Sequence, residues 1–474
     1  MRKVKIQEVL RNVEITEAAA EGKSLARVNE RVVFVPWVVP GDVIDIEIRK
    51  KKNNYAEGVA IAFHQLSPYR VDACCLHFGA CGGCKWQTLV YDKQLYFKNK
   101  QVMDNLQRIG KIDCSKALPI LGSERQFQYR NKLEFTFSTK KWSIEKPLPD
   151  FSVQKGALGF HIPNFFDKVL DIIECKLQKN PSNEIRNYVR EYVINHNLDF
   201  YDIRNHSGLM RNLIIRTTDN ENGDLMVIVI FAEPSPEIEP LMHAIEERFP
   251  QITSLLYVVN MKFNDTLGDQ QINVFKGKDF IIEQMPSFNS TREKLNFKIG
   301  AKSFYQTNSQ QAYRLYKVAA EFAELTSESV VYDLYTGCGT IANFIADSVK
   351  QVVGIEYVED AVEDAEANSK ENKINNTKFF AGDISKVLTD DFVKLNIQPD
   401  IIITDPPRAG MNPDVIAQLL RIAAKKIVYI SCNPATQARD VSMLSEKYAI
   451  GRIQPVDMFP HTHHIENVIE LNLR

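Results

Sequence analysis

The amino-acid sequence predicts an α/β protein in three parts: a small, OB-like N-terminal β-barrel, a central mixed α+β domain, and a C-terminal doubly wound, Rossmann-like domain. Three observations carry that prediction. From about residue 300, strand-like apolar runs alternate with helical stretches, the pattern of a parallel sheet wound on both faces. Between about 125 and 290, strand-like runs follow one another with alternating faces. Before residue 62, β-branched runs are broken by proline and glycine.

Composition bounds the rest. With 474 residues, 44% of them hydrophobic, the chain has room for several cores, on the order of two to four domains. MRKVKIQEVL has a basic start without a long apolar stretch, and no run reaches the roughly 18 apolar residues of a membrane span. A cytoplasmic protein without a membrane partner is expected. Eight cysteines are too sparse for a disulfide scaffold and are grouped as for metal binding or catalysis. The balance of 58 basic and 60 acidic residues means that any nucleic-acid binding must use local patches.

In the first part, RVVFVPWVVPGDVIDIEI and AEGVAIAF supply strands. RKKKNNY between them sets Arg49, Lys50, Lys51 and Lys52 before Tyr55. Such a run is most often a solvated loop, but on a small barrel cations beside an aromatic form a surface for single-stranded nucleic acid. Next, DACCLHFGACGGCKWQ places Cys75, Cys81 and Cys84 within ten residues, and Gly82-Gly83 lets the backbone wrap so that several sulfurs face one point. Cys175 in DIIECKL is the candidate fourth ligand. Four thiolates suit zinc or an iron–sulfur cluster, and spacing does not choose between them. The spacing differs from the C-x3-C-x2-C of radical enzymes, so the site reads as structural; buried thiols without metal are the plainer reading.

A helix is expected over 91–110. YRNKLEFTFS, ALGFHIP, LMRNLIIR and DLMVIVIFA read as antiparallel strands, and 276–294 reads as a linker. In the last part, SVVYDLYTGCGT is a strand entering a glycine turn, and QVVGIEYV, TKFFAGD, PDIIITDPPRAG and KKIVYISC are further strands with helices between them. Asp333, Glu356, Asp383, Asp405 and Cys432 therefore fall at strand ends, where ligands bind in such folds.

Gly337-Cys338-Gly339 allows close approach of a ligand to the backbone, and Glu356 can accept hydrogen bonds from a ribose diol. A dinucleotide is disfavoured because Ala342 occupies the position of the third glycine. Asp405-Pro406-Pro407 resembles the acidic-Pro-Pro signature of S-adenosylmethionine-dependent methyltransferases, its prolines stiffening the turn. A cysteine is needed if the methyl goes to carbon-5 of a pyrimidine. A thiolate adding to carbon-6 turns carbon-5 into an enolate-like nucleophile, and a base must afterwards remove the carbon-5 proton. Cys432 supplies the thiol, and FPHTHHIENVIEL supplies Glu466 as base, with His461, His463 and His464 close by. Taken singly, Cys432 reads as a small buried hydrophobe and the histidines as polar surface.

SCNPATQARD, HTHHIENV, DPPRAG, DLYTGCGT and SFYQTN together resemble the bacterial RNA (uracil-C5)-methyltransferases. CLHFGACGGC with Cys175 resembles their iron–sulfur branch acting on 23S ribosomal RNA, and residues 21–48 resemble its TRAM barrel. The resemblance implies Cys432 as nucleophile and Glu466 as base. It implies S-adenosylmethionine on Gln306, Tyr335, Thr340, Glu356, Asp383 and Asp405, with Asp405 also orienting the uracil and Phe304 beside the substrate. It implies a [4Fe-4S] cluster on Cys75, Cys81, Cys84 and Cys175, zinc being the alternative, with Cys74 as an extra thiol. Domains of 1–65 (TRAM), 66–92 with 125–295 (central), and 93–124 with 296–474 (methyltransferase) follow. A reactive, partly ionised Cys432 is expected, with 23S ribosomal RNA as partner and a monomer as the default assembly. Transfer RNA as substrate, or a non-catalytic RNA-binding assembly factor, are the alternatives.

Overall fold

The computed structural model describes residues 8–143, 156–220, 223–288 and 292–474. The basic start at 1–7 and the tip of the 276–294 stretch at 289–291 lie outside the described residues. Among them no helix is long and apolar enough to cross a membrane.

The N-terminal part is a six-stranded sheet wrapped around one small core of Val13, Ile15, Ala26, Val33, Val35, Ile44, Ile46 and Ala56. The alternating β-branched residues of Arg31–Val35 and Val43–Lys51 put every second side chain inside. Arg49, Lys50 and Lys51 are part of that second strand, not of a loop; Lys52 begins the turn.

An eight-stranded sheet forms the central part, with helices Ser182–Asn195 and Ile238–Arg248 against its core. The four strands read from the sequence are antiparallel as expected: Lys132–Ser138 pairs with Ala157–His161 and with Met210–Thr217, and Met210–Thr217 pairs with Leu225–Phe231. A further strand, Ser254–Val259, pairs parallel with Leu225–Phe231, because helix Ile238–Arg248 returns the chain as a crossover. One expectation fails here. Residues 276–294 are no linker: Phe280–Pro286 and Lys294–Gly300 pair as an antiparallel ribbon that buries Ile281, Met285, Leu295, Phe297 and Ile299.

The C-terminal part holds a seven-stranded sheet, its strands labelled along the chain β1 (Val330–Leu334), β2 (Gln351–Glu356), β3 (Thr377–Ala381), β4 (Ile401–Thr404), β5 (Lys426–Ser431), β6 (Tyr448–Val456) and β7 (Glu466–Leu473). Their order across the sheet is β3-β2-β1-β4-β5-β7-β6, with β7 antiparallel to β5 and β6 and the others parallel. Both faces are buried, as a parallel sheet requires. Val331, Ile403 and Val428 pack toward helix Ser309–Ala323. Tyr332, Ile402 and Ile427 pack toward helices Pro413–Ile422 and Pro434–Leu444.

Helix Tyr91–Arg108 docks on this C-terminal part. Its Val102 and Leu106 enter the same core, and Lys98 makes a fully buried ion pair with Asp457 at 2.6 Å. Tyr91 donates to the other oxygen of Asp457 at 2.8 Å. Farther on, the amides of Leu118 and Leu121 donate to carbonyls of Ile453 and Pro455 along β6.

Candidate active site

The strand order turns back between β1 and β4, so their carboxyl ends open a crevice at the point where an α/β sheet binds ligands. Asp333, the last residue but one of β1, is wholly buried. One oxygen accepts from the Thr336 hydroxyl at 2.5 Å and the Ala342 amide at 3.1 Å; the other has no partner. Burial, aided by Glu356, pushes this carboxyl up to about 7. Tyr335 then takes the left-handed conformation at φ 63°, followed by Gly337 at 56° and Gly339 at 74°. A side chain at Gly339 would strike Ala365 and Asn343 at under 3 Å, whereas beside Gly337 there is open space. The turn is thus closed against its own helix and open toward the crevice.

At the end of β2, Glu356 accepts from the amides of Gly337, Tyr357 and Val358 at 3.1, 2.8 and 3.0 Å. Three amide donors orient the carboxyl group, leaving its remaining lone pairs to accept from a diol. Asp383 follows β3 and caps the next turn, its carboxyl lowered by the Ser385 hydroxyl and amide. The Tyr335 phenol is raised to about 12, by burial first and then by Asp440, Asp383 and Glu356, so these groups face one region. Thr340 is buried against the Cys338 thiol at 3.4 Å.

The SFYQTN stretch closes the crevice from the side. The Cys338 thiol donates to the Phe304 carbonyl at 3.3 Å, fastening it to the glycine turn. The Phe304 ring itself is 72% exposed. Gln306 is half-buried, with its carbonyl held by the Asn131 side chain at 3.0 Å.

Cys432 and Glu466 are brought together by sheet register. Ser431 of β5 lies opposite Asn467 of β7 in an antiparallel pair, so the next position along sets Cys432 across from Glu466, with Cβ atoms about 5 Å apart in such pairs. Gln437, fully buried, locks this register: its amide donates to the carbonyls of Tyr429 and Asn467 at 2.9 and 3.0 Å and accepts from the Asn467 side chain at 2.8 Å. Asn433 caps helix Pro434–Leu444 and also donates to the Arg408 carbonyl at 3.0 Å. That bond ties the Asp405-Pro406-Pro407-Arg408 turn to the cysteine.

The electrostatics run against a resting thiolate. Burial pushes the Cys432 thiol up to about 11, with Glu466 and Asp405 adding and Arg408 opposing. The expectation of a lowered thiol is therefore overturned, because a half-buried sulfur beside two carboxyl groups gains nothing by ionising. Glu466 is raised well above the carboxylate range by burial and then by Asp405; Asp405 is raised by burial and then by Asp333. The neighbouring histidines are held neutral by burial: His461 and His464 are lowered to about 4 and His463 to about 3. His461 is a fixture, its amide donating to Gln94 at 2.8 Å and its ring stacked on Phe127. Arg408 and Gln437 are not among the residues singled out from the sequence, although both stand inside motifs already quoted; a buried amide within a conspicuous motif is the signal that was available.

Arg49, Lys50 and Lys51 stand on the barrel and pair with Glu47, Glu57 and Glu8 at 2.5, 3.9 and 2.6 Å. Tyr55 packs edge-on against Phe34. Such exposed pairs are weak, but they set an acid beside three of the four cations expected there.

Cys75, Cys81, Cys84 and Cys175 line one cavity of about 480 Å³ between the glycine loop, the central sheet, and Thr462 and His464. Cys74 is exposed and leans toward Gln87 at 3.8 Å. Burial raises the thiols of Cys81 and Cys84 to about 11 and 12, with the neighbouring thiols adding. Among the described residues no three His, Cys, Asp or Glu side chains are gathered closely enough to hold a metal ion as they stand. As a donor set, four soft thiols on one cavity fit a cluster or zinc.

The family model of tRNA (uracil-5-)-methyltransferase matches residues 266–474, and that of the TRAM domain matches residues 3–61. An RNA methyltransferase of Bacteroides thetaiotaomicron is 55% identical over 96% of this chain and 100% of its own. One of Chlorobaculum tepidum is 37% identical over 96% and 94%. The crystal structure of Pyrococcus abyssi tRNA (uracil-54, C5)-methyltransferase with S-adenosyl-L-homocysteine matches 98% of this chain and 100% of its own at 27% identity, with a TM-score of 0.73. A crevice at the strand ends, a cysteine set against a carboxyl, and these likenesses lead to one conclusion: the chain belongs to the S-adenosylmethionine-dependent uracil-5 RNA methyltransferase family and carries a TRAM domain.

Proposed function

We propose that the chain forms 5-methyluridine in 23S ribosomal RNA, in the cytoplasm, by covalent catalysis at Cys432. The observation that carries this reading is the placement of Cys432 across from Glu466, with Asp405 and Arg408 on the adjoining turn. Gln306, Tyr335, Thr340, Glu356, Asp383 and Asp405 hold S-adenosylmethionine, which supplies an electrophilic methyl on a sulfonium.

The Cys432 thiol gives up its proton to the Asp405 carboxylate, favoured by Arg408, which leaves Glu466 free for the later proton; S-adenosylmethionine, when bound, would add positive charge to the site. Its sulfur then bonds to carbon-6 of the uracil, and the 5,6 electron pair makes carbon-5 nucleophilic. Carbon-5 takes the methyl, leaving the thioether. Glu466 removes the carbon-5 proton; the 5,6 double bond re-forms and the Cys432 thiolate leaves. Burial, by raising Glu466, strengthens the ionised carboxylate as the base for that proton. Phe304, exposed at the mouth, is placed to stack on the flipped base.

Cys75, Cys81, Cys84 and Cys175 are assigned to a [4Fe-4S] cluster with a structural role, on the ground that these four thiols share one cavity. Bound iron would hold them as thiolates despite their burial.

The run of cysteines favours ribosomal RNA by resemblance to that branch; the likeness over the whole chain to a tRNA (uracil-54, C5)-methyltransferase favours transfer RNA as the second reading. Nucleoside mass mapping of 23S ribosomal RNA and transfer RNA, from cells with and without the protein, separates them. Loss of 5-methyluridine from one or two 23S positions is expected. Loss from transfer RNA would move the substrate, and no change at any site would favour a non-catalytic assembly factor.

A further inference from the structure

Large rings are seldom left in water without a use, and the central part exposes several in a row. At one end Trp142 and Phe165 stack at 5.8 Å, with the Lys168 ammonium 4.9 and 4.6 Å from their centres. Beside them the guanidinium of Arg204 lies 5.3 Å from Phe166, which is 64% exposed. Along the same turn the His206 ring lies 4.2 Å from that of Phe263, tilted by 35°, and Phe263 is 76% exposed. The loop that carries Phe263 is tied to the active-site mouth, since Lys302 donates to the Gly268 carbonyl at 2.8 Å, two residues before Phe304.

The charge on this strip is presented asymmetrically. Asp167 holds Arg204 at 2.6 Å and Lys140 at 3.6 Å, but its side chain is only 4% exposed, against 56% for Arg204 and 37% for Lys140. Around Asp167, solvent therefore meets the cations and the rings and not the carboxylate, while on the Phe263 loop the exposed Asp265 and Asp269 are paired with Arg211 and Lys262.

We infer that this strip binds unpaired RNA, its rings stacking on splayed bases and its cations taking the phosphates, and that it leads the strand toward Phe304 and Cys432. Double-stranded RNA does not fit, because its bases are stacked on one another and closed to side-chain rings. The inference rests on RNA being the substrate, and it assigns to the central part a grip separate from the TRAM barrel.

The test is fluorescence anisotropy of a labelled 12-nucleotide oligouridylate and of a blunt RNA duplex, with the full chain and its Phe166→Ala/Phe263→Ala variant. One base stacked on an aromatic ring is worth roughly a factor of 5 to 150 in affinity. The double variant is expected to bind the oligouridylate at least about tenfold more weakly, with duplex binding and S-adenosylmethionine binding by calorimetry unchanged. Phe166→Tyr/Phe263→Trp should restore the affinity. Equal oligouridylate affinity in parent and double variant would overturn the strip and leave the RNA substrate standing, pointing instead to a protein partner on these rings. A parent chain that binds no RNA at all would overturn both readings.

Discussion

Cys432 shows how one residue can be legible in kind and not in state. Its position after an apolar strand and before Asn433-Pro434 marks a strand-end thiol from sequence alone. Its ionisation depends on Glu466, 34 residues away, and on Asp405 and Arg408, which only the folded sheet brings near. In the free protein the thiol is protonated at neutral pH, so alkylation of Cys432 by iodoacetamide, followed by peptide mass spectrometry, should be roughly a hundredfold slower at pH 7.5 than for an ordinary cysteine. The rate should climb about tenfold per pH unit until the thiol titrates near 11, where an ordinary cysteine levels off about two units lower. Arg408→Ala removes the one cation that opposes this rise and should slow alkylation further. Fast alkylation at pH 7.5 with a plateau below pH 9 would contradict the assignment of a resting thiol.

Among the elements, β1 to β5 of the C-terminal sheet were readable because each is an apolar run that ends at or within two residues of Asp, Glu or Cys, with helices between them, whereas β6 and β7 carry no such mark. In the central sheet the antiparallel strands were readable, but Ser254–Val259 was not, since the alternation of DLMVIVIFA announces neither a second neighbour nor its parallel direction. Register between β5 and β7 is likewise silent in sequence, although Gln437 and Asn467, which fix it, sit in plain view. Gln437→Leu keeps the volume but leaves the Tyr429 and Asn467 groups unsatisfied, at about 1–3 kcal/mol for each buried polar group. A loss of roughly 2–4 kcal/mol in urea unfolding is expected. Methyl transfer per folded molecule should fall as well, because the same bonds set Cys432 against Glu466. Unchanged transfer by the folded fraction would mean that the register does not depend on this amide.

Across the whole molecule, the features hardest to foresee join distant parts of the chain. Gln94 meets His461 across 367 residues, Lys98 meets Asp457 in the core, and the amides of Lys85 and Trp86 donate to the His461 carbonyl. No local pattern carries such pairings, because each partner reads as an ordinary polar residue in its own segment. They set the cysteine cavity against the loop that leads to Glu466. For that cavity, iron and acid-labile sulfide should accompany the chain purified without oxygen. Cys75→Ser should lose both, whereas Cys74→Ser should retain them, since Cys75 lines the cavity and Cys74 does not. One zinc per chain and no sulfide would replace the cluster by the single-ion alternative.

The account turns on Cys432 adding to the base and Glu466 ending that addition. Incubating Glu466→Gln protein with S-adenosylmethionine and RNA, and running the mixture on a denaturing gel with mass analysis of the shifted band, tests this directly. The expected result is a stable protein–RNA adduct on Cys432 that carries the added methyl and is absent from Cys432→Ala. No adduct, with free 5-methyluridine released at the wild-type rate, would contradict it.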